Sequence, residues 1–332
     1  MKKKILFCAE DFGGIKSLFP IYIYLKKKFE CKFITNNNFY CEVTKKKILP
    51  INKKDLLILA KKFSPDVVFS GSSEGKYSID KLLLNSYRNN NEVKKIIVFE
   101  EWHYNYKKAI IFNNDYLKID TYLVNDKFCY HKAIKEGLEK KKLFVACQFH
   151  LSNLFYNVKH KKKSSNNILF LYEDIQKKTK IKNIKHPGYS TKQVLKDLIK
   201  VHSLLKLNSK ILVKKHPSRK GKFNILEKEL KNKFVKYVYS NEIIKFMLNS
   251  KIIVGMRSMA ILESIVLKCP VISYQPNSFF ERCSAVNLGL IKSLKTFIEL
   301  KKNISSEKRI YASSKKLSFI KKIDSIKFDK II

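Results

Sequence analysis

The chain has 332 residues, is 45% hydrophobic and 12% aromatic, and carries a formal net charge of +41. This composition excludes a disordered or collagen-like chain, and the length predicts two domains that each bury a core. No apolar run reaches the roughly 18 residues that a transmembrane helix needs. The basic start, MKKKILFCAED, has an apolar part that ends at Ala9 and is followed at once by acids, which indicates a strand rather than a signal peptide.

The basic residues number 69 against 28 acidic residues, which raises the question of nucleic-acid binding. Only five of the 69 are arginine, the residue that makes bidentate contacts to bases and stacks on them. The excess of Lys, Asn and Ile is typical instead of the coding bias of an AT-rich genome. We therefore expect no specific nucleic-acid partner, but a general attraction of the positive surface to anionic membranes.

The seven cysteines include no C-x-x-C pair, and several stand within apolar, strand-like runs. An odd number without metal-ligand spacing favours buried free thiols in a reducing cytoplasm over a zinc site or a disulfide framework. The expected location is therefore cytoplasmic, with the positive surface drawn to the inner face of the membrane.

The first half of the chain alternates short apolar runs with amphipathic stretches. Strands are predicted at 5–8, 31–35, 66–70, 95–99, 122–125 and 143–146, and helices from about residue 15 and over 53–63, 79–87 and 130–137. This order of strand then helix predicts a parallel sheet covered on both faces. We expect this first domain to span residues 1–158, and a linker without apolar residues to follow over 159–167.

The same alternation begins again after the linker. Strands are predicted at 167–172, 210–214, 235–239, 252–254 and 271–274, and helices over 190–207, 223–233 and 241–248 and from 259. The second domain is expected to span 168–306, and a basic helix within 307–332 is expected to return to the first domain. The predicted fold class is α/β, with two doubly wound, Rossmann-like domains that face each other across a cleft where ligands bind.

The stretch KIIVGMRSMAILESIVLKCPVISYQ (251–275) predicts a strand, a tight turn, a helix and a second strand. Gly255 breaks the first strand, and Ser258 suits the N-cap of the helix. A parallel, right-handed unit of this kind puts its turn at the carboxyl edge of the sheet. Free N–H groups at the helix amino end, with Arg257 beside them and Glu263 about one turn further on, predict a site for a phosphate and a sugar hydroxyl. A solvated arginine and an exposed helix position are the alternatives.

Two carboxylates follow the first strand of the chain. Glu10 and Asp11 stand there, and Gly13 and Gly14 come next and would let the backbone approach a ligand. One of the carboxylates could act as general base on an acceptor hydroxyl. The alternative is a solvated turn with a helix N-cap.

Two further groups of polar residues stand at predicted strand ends. Glu101, Trp102 and His103 follow a strand of the first domain, and the tryptophan offers a flat surface for a sugar or, alternatively, covers the core. Lys214 and His216 follow a strand of the second domain, and the proline after His216 holds that residue extended. This placement favours phosphate binding by His216, whereas for the lysine a surface loop is the favoured interpretation.

Three other patterns count against cofactor and metal sites. The loop GSSEGKY (71–77) resembles a phosphate loop, but it is one residue short and lacks Ser or Thr after its lysine. No D-x-D pair is present to hold a divalent metal with a nucleotide-sugar, and no G-x-G-x-x-G follows the first strand. We therefore expect neither a metal nor a cofactor, with a nucleotide-sugar as substrate.

Four segments together resemble a known group of enzymes. They are EDFGG (10–14), EGLEKKKLFVACQFHL (136–151), KKHP (214–217) and GMRSMAILESIVLKCPVISY (255–274). The pattern is similar to the GT-B superfamily of nucleotide-sugar enzymes, specifically bacterial surface-polysaccharide glycosyltransferases and the related UDP-N-acetylglucosamine 2-epimerases. The His-Pro pair is also similar to that of bacterial sialyltransferases. The segment 136–151 departs from the family, which often has G-N-P where this chain has CQF.

The resemblance implies roles for individual residues. His216, Arg257, Ser258 and Glu263 would bind the donor, with the first of them contacting the nucleotide phosphate, and Asp11 or Glu10 would be the catalytic base. Lys214 would lie on the donor side as well. No bound metal would be needed for such a reaction.

Three functions are consistent with these features. The expected one is a metal-independent glycosyltransferase that moves a sugar from a nucleotide-sugar to a surface-glycan or lipid-linked acceptor. The second is a nucleotide-sugar 2-epimerase or hydrolase on the same scaffold, with Glu101, His103 and His150 available as acids and bases. The third is a non-catalytic binder of anionic polymers, which salt-sensitive binding to any nucleic acid would indicate.

Overall fold

The computed structural model describes residues 2–73, 75–87, 93–100, 106–158, 165–175, 187–214, 232–239, 242–279, 281, 283–306 and 317–332. The chain divides into two compact units. The first consists of Met1–Asn157 with Leu317–Ile332, and the second of Val158–Lys316. Each unit is built around one parallel sheet with helices between its strands. The predicted fold class, two Rossmann-like α/β domains, is therefore confirmed.

The first domain has a six-stranded sheet in the order β10-β9-β6-β5-β1-β2, in which every pairing is parallel. Its strands are β1 (Lys4–Cys8), β2 (Glu30–Ile34), β5 (Val67–Ser70), β6 (Lys95–Phe99), β9 (Thr121–Val124) and β10 (Leu143–Val145). Its helices are α1 (Phe12–Leu25), α2 (Leu56–Phe63), α3 (Ile79–Ser86), α4 (Tyr106–Ala109), α5 (Lys127–Lys135) and α6 (Phe149–Asn157). Two small antiparallel pairs lie in its loops: β3 (Phe39–Cys41) with β4 (Lys46–Ile48), and β7 (Ile111–Phe112) with β8 (Asp115–Tyr116).

Alternate residues of the first strands enter two different cores, one on each face of the sheet. Leu6 and Val68 belong to the core on one face, whereas Phe7 and Phe69 belong to the core on the other. The two phenylalanine rings stack with their centroids 5.0 Å apart. Burial on both faces explains why these strands are continuous apolar runs without alternation.

The second domain has its own six-stranded sheet in the order β13-β12-β11-β14-β15-β16, and again every pairing is parallel. Its strands are β11 (Ile168–Leu171), β12 (Ile211–Lys214), β13 (Val235–Val238), β14 (Ile252–Gly255), β15 (Val271–Tyr274) and β16 (Ser293–Leu294). Its helices are α7 (Thr191–Leu204), α8 (Ile243–Leu248), α9 (Met259–Val266), α10 (Ser284–Asn287) and α11 (Phe297–Ser305). The predicted helix over 223–233 falls largely outside the described residues, as does most of the predicted linker.

The predicted helix within 307–332 is wrong for the part that the structure describes. Residues 317–332 form turns and two short 3-10 helices, Ile323–Ser325 and Phe328–Lys330, and belong to the first domain. Phe328 is buried there, 6.1 Å from the ring of Phe149 and 5.7 Å from that of Tyr24. The repeated lysines suggested a solvated helix, but apolar contacts with α1 and α6 determine the conformation. No helix in the described parts of the chain is both long and apolar enough to cross a bilayer.

Phe328→Ala is expected to lower the free energy of unfolding of the first domain by about 3 kcal/mol, because it removes a buried ring from the core. Urea denaturation followed by circular dichroism measures the change. The matched control is Phe128→Ala, since Phe128 in the same domain is 45% exposed and should cost less than about 1 kcal/mol. Equal effects of the two substitutions would show that the C-terminal segment does not contribute to this core.

Candidate functional site

The turn between β14 and α9 forms as the sequence predicts. Ser258 is the N-cap of α9, and its side chain accepts a hydrogen bond from the backbone N–H of Ala260. Gly255 ends β14, and a Cβ at this position would lie 2.9 Å from Cγ1 of Ile261. The glycine is therefore needed for the close approach of helix and strand. Since every pairing in the sheet is parallel, this turn lies at the carboxyl edge of the second domain.

The backbone N–H groups of this turn are not free, which corrects the sequence-based expectation. Oε1 of Glu173, two residues beyond the end of β11, accepts hydrogen bonds from the N–H groups of Met256, Arg257 and Ser258 at 3.2, 2.8 and 3.0 Å. Oε2 of Glu173 lies 3.6 Å from Nε of Arg257. A carboxylate of the chain itself thus fills the position in which a phosphate was expected, because buried N–H groups require an acceptor.

Two opposing effects act on the Glu173 carboxyl. Its side chain is 11% exposed, and this burial raises its pKa above the ordinary value of a glutamate. The hydrogen bonds from the turn and the charge of Arg257 act on the pKa in the opposite direction. The ion pair is partly shielded from solvent, because the Arg257 side chain is 30% exposed. A phosphate that bound to this turn would therefore have to displace a carboxylate with four partners.

The other donor-site residues predicted in the second domain lie at or near the same edge. Lys214 ends β12, Glu173 follows the neighbouring β11, and Glu263 lies in the second turn of α9. Lys214 is 6% exposed and Glu263 is 4% exposed, so the alternatives of a surface loop and a solvated helix position are wrong. His216 lies outside the described residues.

A polar network at this edge was missed from the sequence. Nε2 of Gln275, directly after β15, donates to Oε1 of Glu281 at 2.7 Å, and the backbone N–H of Cys283 donates to the same oxygen at 2.7 Å. Nζ of Lys295 lies 3.5 Å from Oε2 of Glu281, and the hydroxyl of Tyr189 donates to Gln275 at 3.4 Å. One feature of the sequence could have indicated this network: the polar Gln275 directly follows the apolar run that forms β15.

The two candidate bases of the first domain have different environments. Oε2 of Glu10 accepts the backbone N–H of Ile79, the first residue of α3, at 2.7 Å. Ser78, the N-cap of α3, makes no side-chain cap of its own, so Glu10 caps this helix from a distant part of the sequence. Asp11 is exposed, and its backbone N–H donates to Oγ of Ser73 at 3.0 Å.

The two glycines after Asp11 do not form the expected loop. α1 begins at Phe12, so Gly13 and Gly14 belong to its first turn. A Cβ on Gly14 would lie 3.3 Å from Cβ of Ala9 and 3.7 Å from Cα of Gly71. Gly14 thus allows α1 to pack closely against the ends of β1 and β5. This packing accounts for Gly14 without a ligand.

Glu101, Trp102 and His103 lie outside the described residues. The preceding Glu100 is buried at the end of β6, and its Oε2 accepts a hydrogen bond from the hydroxyl of Tyr122 at 3.2 Å.

The first strands of the two domains, with the residues that follow them, have similar sequences. Residues 5–11 read ILFCAED and residues 168–174 read ILFLYED. Glu10 and Glu173 each stand two residues beyond the end of the first strand, and each accepts backbone N–H groups at a loop-to-helix junction. The repeated E-D pair was therefore visible in the sequence, and in both domains its glutamate has a structural role.

The fold is shared with proteins of known structure. S. aureus MnaA in complex with UDP superposes with a TM-score of 0.67 at 15% identity, over 96% of this chain and 91% of that chain. M. jannaschii UDP-GlcNAc 2-epimerase in complex with UDP-GlcNAc and UDP gives 0.63 at 15%, over 95% and 97%. The R. bellii UDP-N-acetylglucosamine 2-epimerase gives 0.62 at 13%, over 92% and 89%. No protein-family model and no curated protein matches the sequence. At these identities the similarity shows the fold.

Glu173→Ala is expected to lower the free energy of unfolding by about 2 kcal/mol, because it leaves three partly buried N–H groups without their acceptor. Inorganic phosphate should then raise the melting temperature of the variant more than that of the parent protein, since the turn becomes open to an external anion. Glu173→Gln retains a neutral acceptor and should show both effects more weakly.

The control is Glu139→Ala, because Glu139 is exposed and forms ion pairs with Lys141 and Lys142 on the surface of the first domain. Differential scanning calorimetry with and without phosphate compares the proteins. An equal phosphate effect in all of them would contradict competition between Glu173 and an external anion.

Proposed function

We propose that the protein is a nucleotide-sugar enzyme that binds its donor at the carboxyl edge of the second domain. The single observation that carries the proposal is the placement of Lys214, Arg257, Ser258 and Glu263 at or near the ends of strands on both sides of β11. Ligands of doubly wound sheets bind at this edge. The similarity of fold to proteins whose structures contain UDP and UDP-GlcNAc supports the same class of ligand.

The proposed roles follow from the charge and burial of each residue. Arg257 neutralises a phosphate of the donor together with Lys214, the last residue of β12, and His216, which follows two residues later in the sequence. Glu263 accepts hydrogen bonds from the ribose hydroxyls, and Ser258 keeps the turn in place through its cap. The phosphate competes with Glu173 for the turn, so donor binding requires the carboxylate to move aside.

The reaction proposed first is epimerisation or hydrolysis of the sugar. In this reaction class the bond between the anomeric carbon and the phosphate oxygen breaks, and the nucleoside diphosphate leaves with the bonding electrons. In hydrolysis a water oxygen then bonds to the anomeric carbon and loses its proton. In 2-epimerisation the proton on C2 is removed and returned to the opposite face, and the diphosphate oxygen bonds again to the anomeric carbon. Charge develops on the departing oxygen, where Arg257 and His216 would stabilise it. The observation that favours this class is the overlap with 2-epimerase folds over nearly the whole of both chains. No metal is included, since the sequence has no D-x-D pair.

Glycosyl transfer is the second candidate, and the exposure of Asp11 favours it. A general base must reach the hydroxyl of an incoming acceptor, and Asp11 is exposed at the carboxyl edge of the first domain. The acceptor would be a glycan or lipid-linked sugar. Glu10 is the weaker candidate for the base, because its carboxylate caps α3.

The test is a thermal-shift screen with UDP, CMP, GDP and TDP sugars, followed by product analysis with the sugar that stabilises the protein. We expect a UDP-sugar to raise the melting temperature, and His216→Ala and Glu263→Ala to remove at least about nine-tenths of the shift. Free sugar or an epimer formed without acceptor identifies the first class, and product that requires an acceptor identifies transfer. Activity should persist in EDTA.

The matched controls are His131→Ala and Glu139→Gln, which alter exposed residues of the first domain and should preserve the shift. If no nucleotide-sugar stabilises the parent protein, the proposal of a nucleotide-sugar enzyme is wrong. Salt-sensitive binding to nucleic acid in that case would favour a non-catalytic binder of anionic polymers.

The roles of Asp11 and Glu10 can be distinguished by measuring the turnover and the melting temperature of a variant at each position. Asp11→Asn should reduce the turnover of an acceptor-dependent reaction by about 100-fold or more, because it removes the general base, and should change the melting temperature less than Glu10→Gln does. Glu10→Gln should lower the melting temperature and change turnover less. The reverse pattern would assign the base to Glu10.

A further inference from the structure

The loop that follows β15 presents an aromatic ring to solvent. The side chain of Phe279 is 80% exposed, the largest fraction among the large apolar residues in the described parts of the chain. The loop begins directly after a parallel strand, so it lies at the carboxyl edge of the second sheet, as the candidate donor site does. Single exposed apolar residues are common on protein surfaces, so the surroundings of this ring decide its meaning.

The backbone of this loop is held in place by hydrogen bonds. Residue 276 is a proline, and the other four N–H groups of residues 275–279 each donate to a backbone carbonyl. The acceptors are, in chain order, the carbonyls of Leu294, Lys295, Gln275 and Pro187, at 2.9 to 3.2 Å. The exposed ring is therefore carried by a fixed backbone and not by a fraying loop.

The ring lies against the loop that precedes α7. A Cβ on Gly188 would lie 3.3 Å from Cε2 of Phe279 and 2.3 Å from the carbonyl oxygen of Asn277. The φ angle of Gly188 is +99°, a region that side chains rarely adopt. The next residue, Tyr189, is buried, and its hydroxyl donates to Oε1 of Gln275 at 3.4 Å. The two loops thus hold each other, and the glycine allows their close approach.

Side chains connect the same loop to the turn before α9. Nε2 of Gln275 donates to Oγ of Ser273 at 2.9 Å, and this hydroxyl donates to the carbonyl of Met256 at 2.5 Å. Burial raises the pKa of Tyr189, and the charge of Arg257 acts in the opposite direction, so the phenol is within electrostatic reach of that guanidinium. Phe279 therefore stands beside the turn proposed to bind a phosphate.

The turn lies between two differently covered faces of the sheet. Gly255 faces α9, the helix that carries Glu263, because a Cβ on this glycine would contact α9. Val254, its neighbour in β14, faces the opposite way and belongs to the core that contains the apolar residues of α7. Tyr189 belongs to that second core as well. Phe279 thus lies on the α7 side of the turn, and Glu263 on the α9 side.

We propose that Phe279 binds the sugar ring of the donor. This assignment rests on the proposed function, in which Arg257 binds a phosphate and Glu263 the ribose. A nucleotide-sugar carries its ribose at one end of the diphosphate and its sugar at the other. With the ribose on the α9 side, the sugar extends to the α7 side, where an aromatic ring can cover the apolar C–H face of a pyranose.

The nucleobase is the alternative partner, since bases also stack on exposed aromatic rings. The base is bonded to the ribose, however, and would lie with it on the side of Glu263. A phenyl ring has no titratable proton, so Phe279 contributes affinity and orientation of the sugar and takes no part in proton transfer.

The test compares the binding of UDP-GlcNAc and of UDP by isothermal titration calorimetry. Phe279→Ala should bind UDP-GlcNAc about tenfold more weakly than the parent protein, because the contact with the sugar is lost, and should bind UDP within about twofold. Phe279→Tyr keeps an aromatic ring and should bind both ligands within about twofold. Because Phe279 is exposed, both variants should keep the melting temperature of the parent protein.

The matched control is Leu204→Ala, which removes an exposed apolar side chain at the far end of α7 and should leave both affinities unchanged. Equal weakening of UDP and UDP-GlcNAc binding by Phe279→Ala would overturn the assignment and place the ring against the nucleoside. Unchanged binding of UDP-GlcNAc would also overturn it. A parent protein that binds UDP but not UDP-GlcNAc would contradict the sugar contact alone, whereas one that binds neither would contradict the proposed function as well.

Discussion

Backbone N–H groups at loop-to-helix junctions need acceptors, and in a doubly wound fold these junctions collect at one edge of the sheet. This chain supplies acceptors from the segments that follow the first strand of each domain. Glu173 holds the turn before α9, and Glu10 holds the start of α3. Each contact joins two connections that are far apart in sequence, and so holds the carboxyl edge of its sheet together.

The contact of Glu173 changes how the second domain can bind an anion. A turn with unoccupied N–H groups would contribute its full interaction energy to a phosphate. Here an external anion would gain only the difference between its own interaction and that of the carboxylate it displaced. Arg257 lies beside this carboxylate, and its charge favours the ionised form of Glu173. Burial of the carboxyl group acts in the opposite direction and raises its pKa.

The regular elements could be predicted because each is a local pattern. The strands at 95–99 and 271–274 have the predicted bounds, and Ser258 is the predicted cap. Two hairpins in the first domain were missed, since strands of two or three residues carry no alternation. The start of α1 was placed too late because glycine is a poor helix former, although at Gly14 close packing outweighs that preference.

The partners of the charged residues could not be predicted in the same way. Glu173 and Arg257 are 84 residues apart, and local composition gives no sign of their contact. Composition also supplies lysines to both domains alike, whereas the positions of the acids decide which lysines are paired. In the described part of the second domain, the pairs Glu173–Arg257 and Glu281–Lys295 both lie beyond the carboxyl ends of strands, because the acids follow the strands in the sequence.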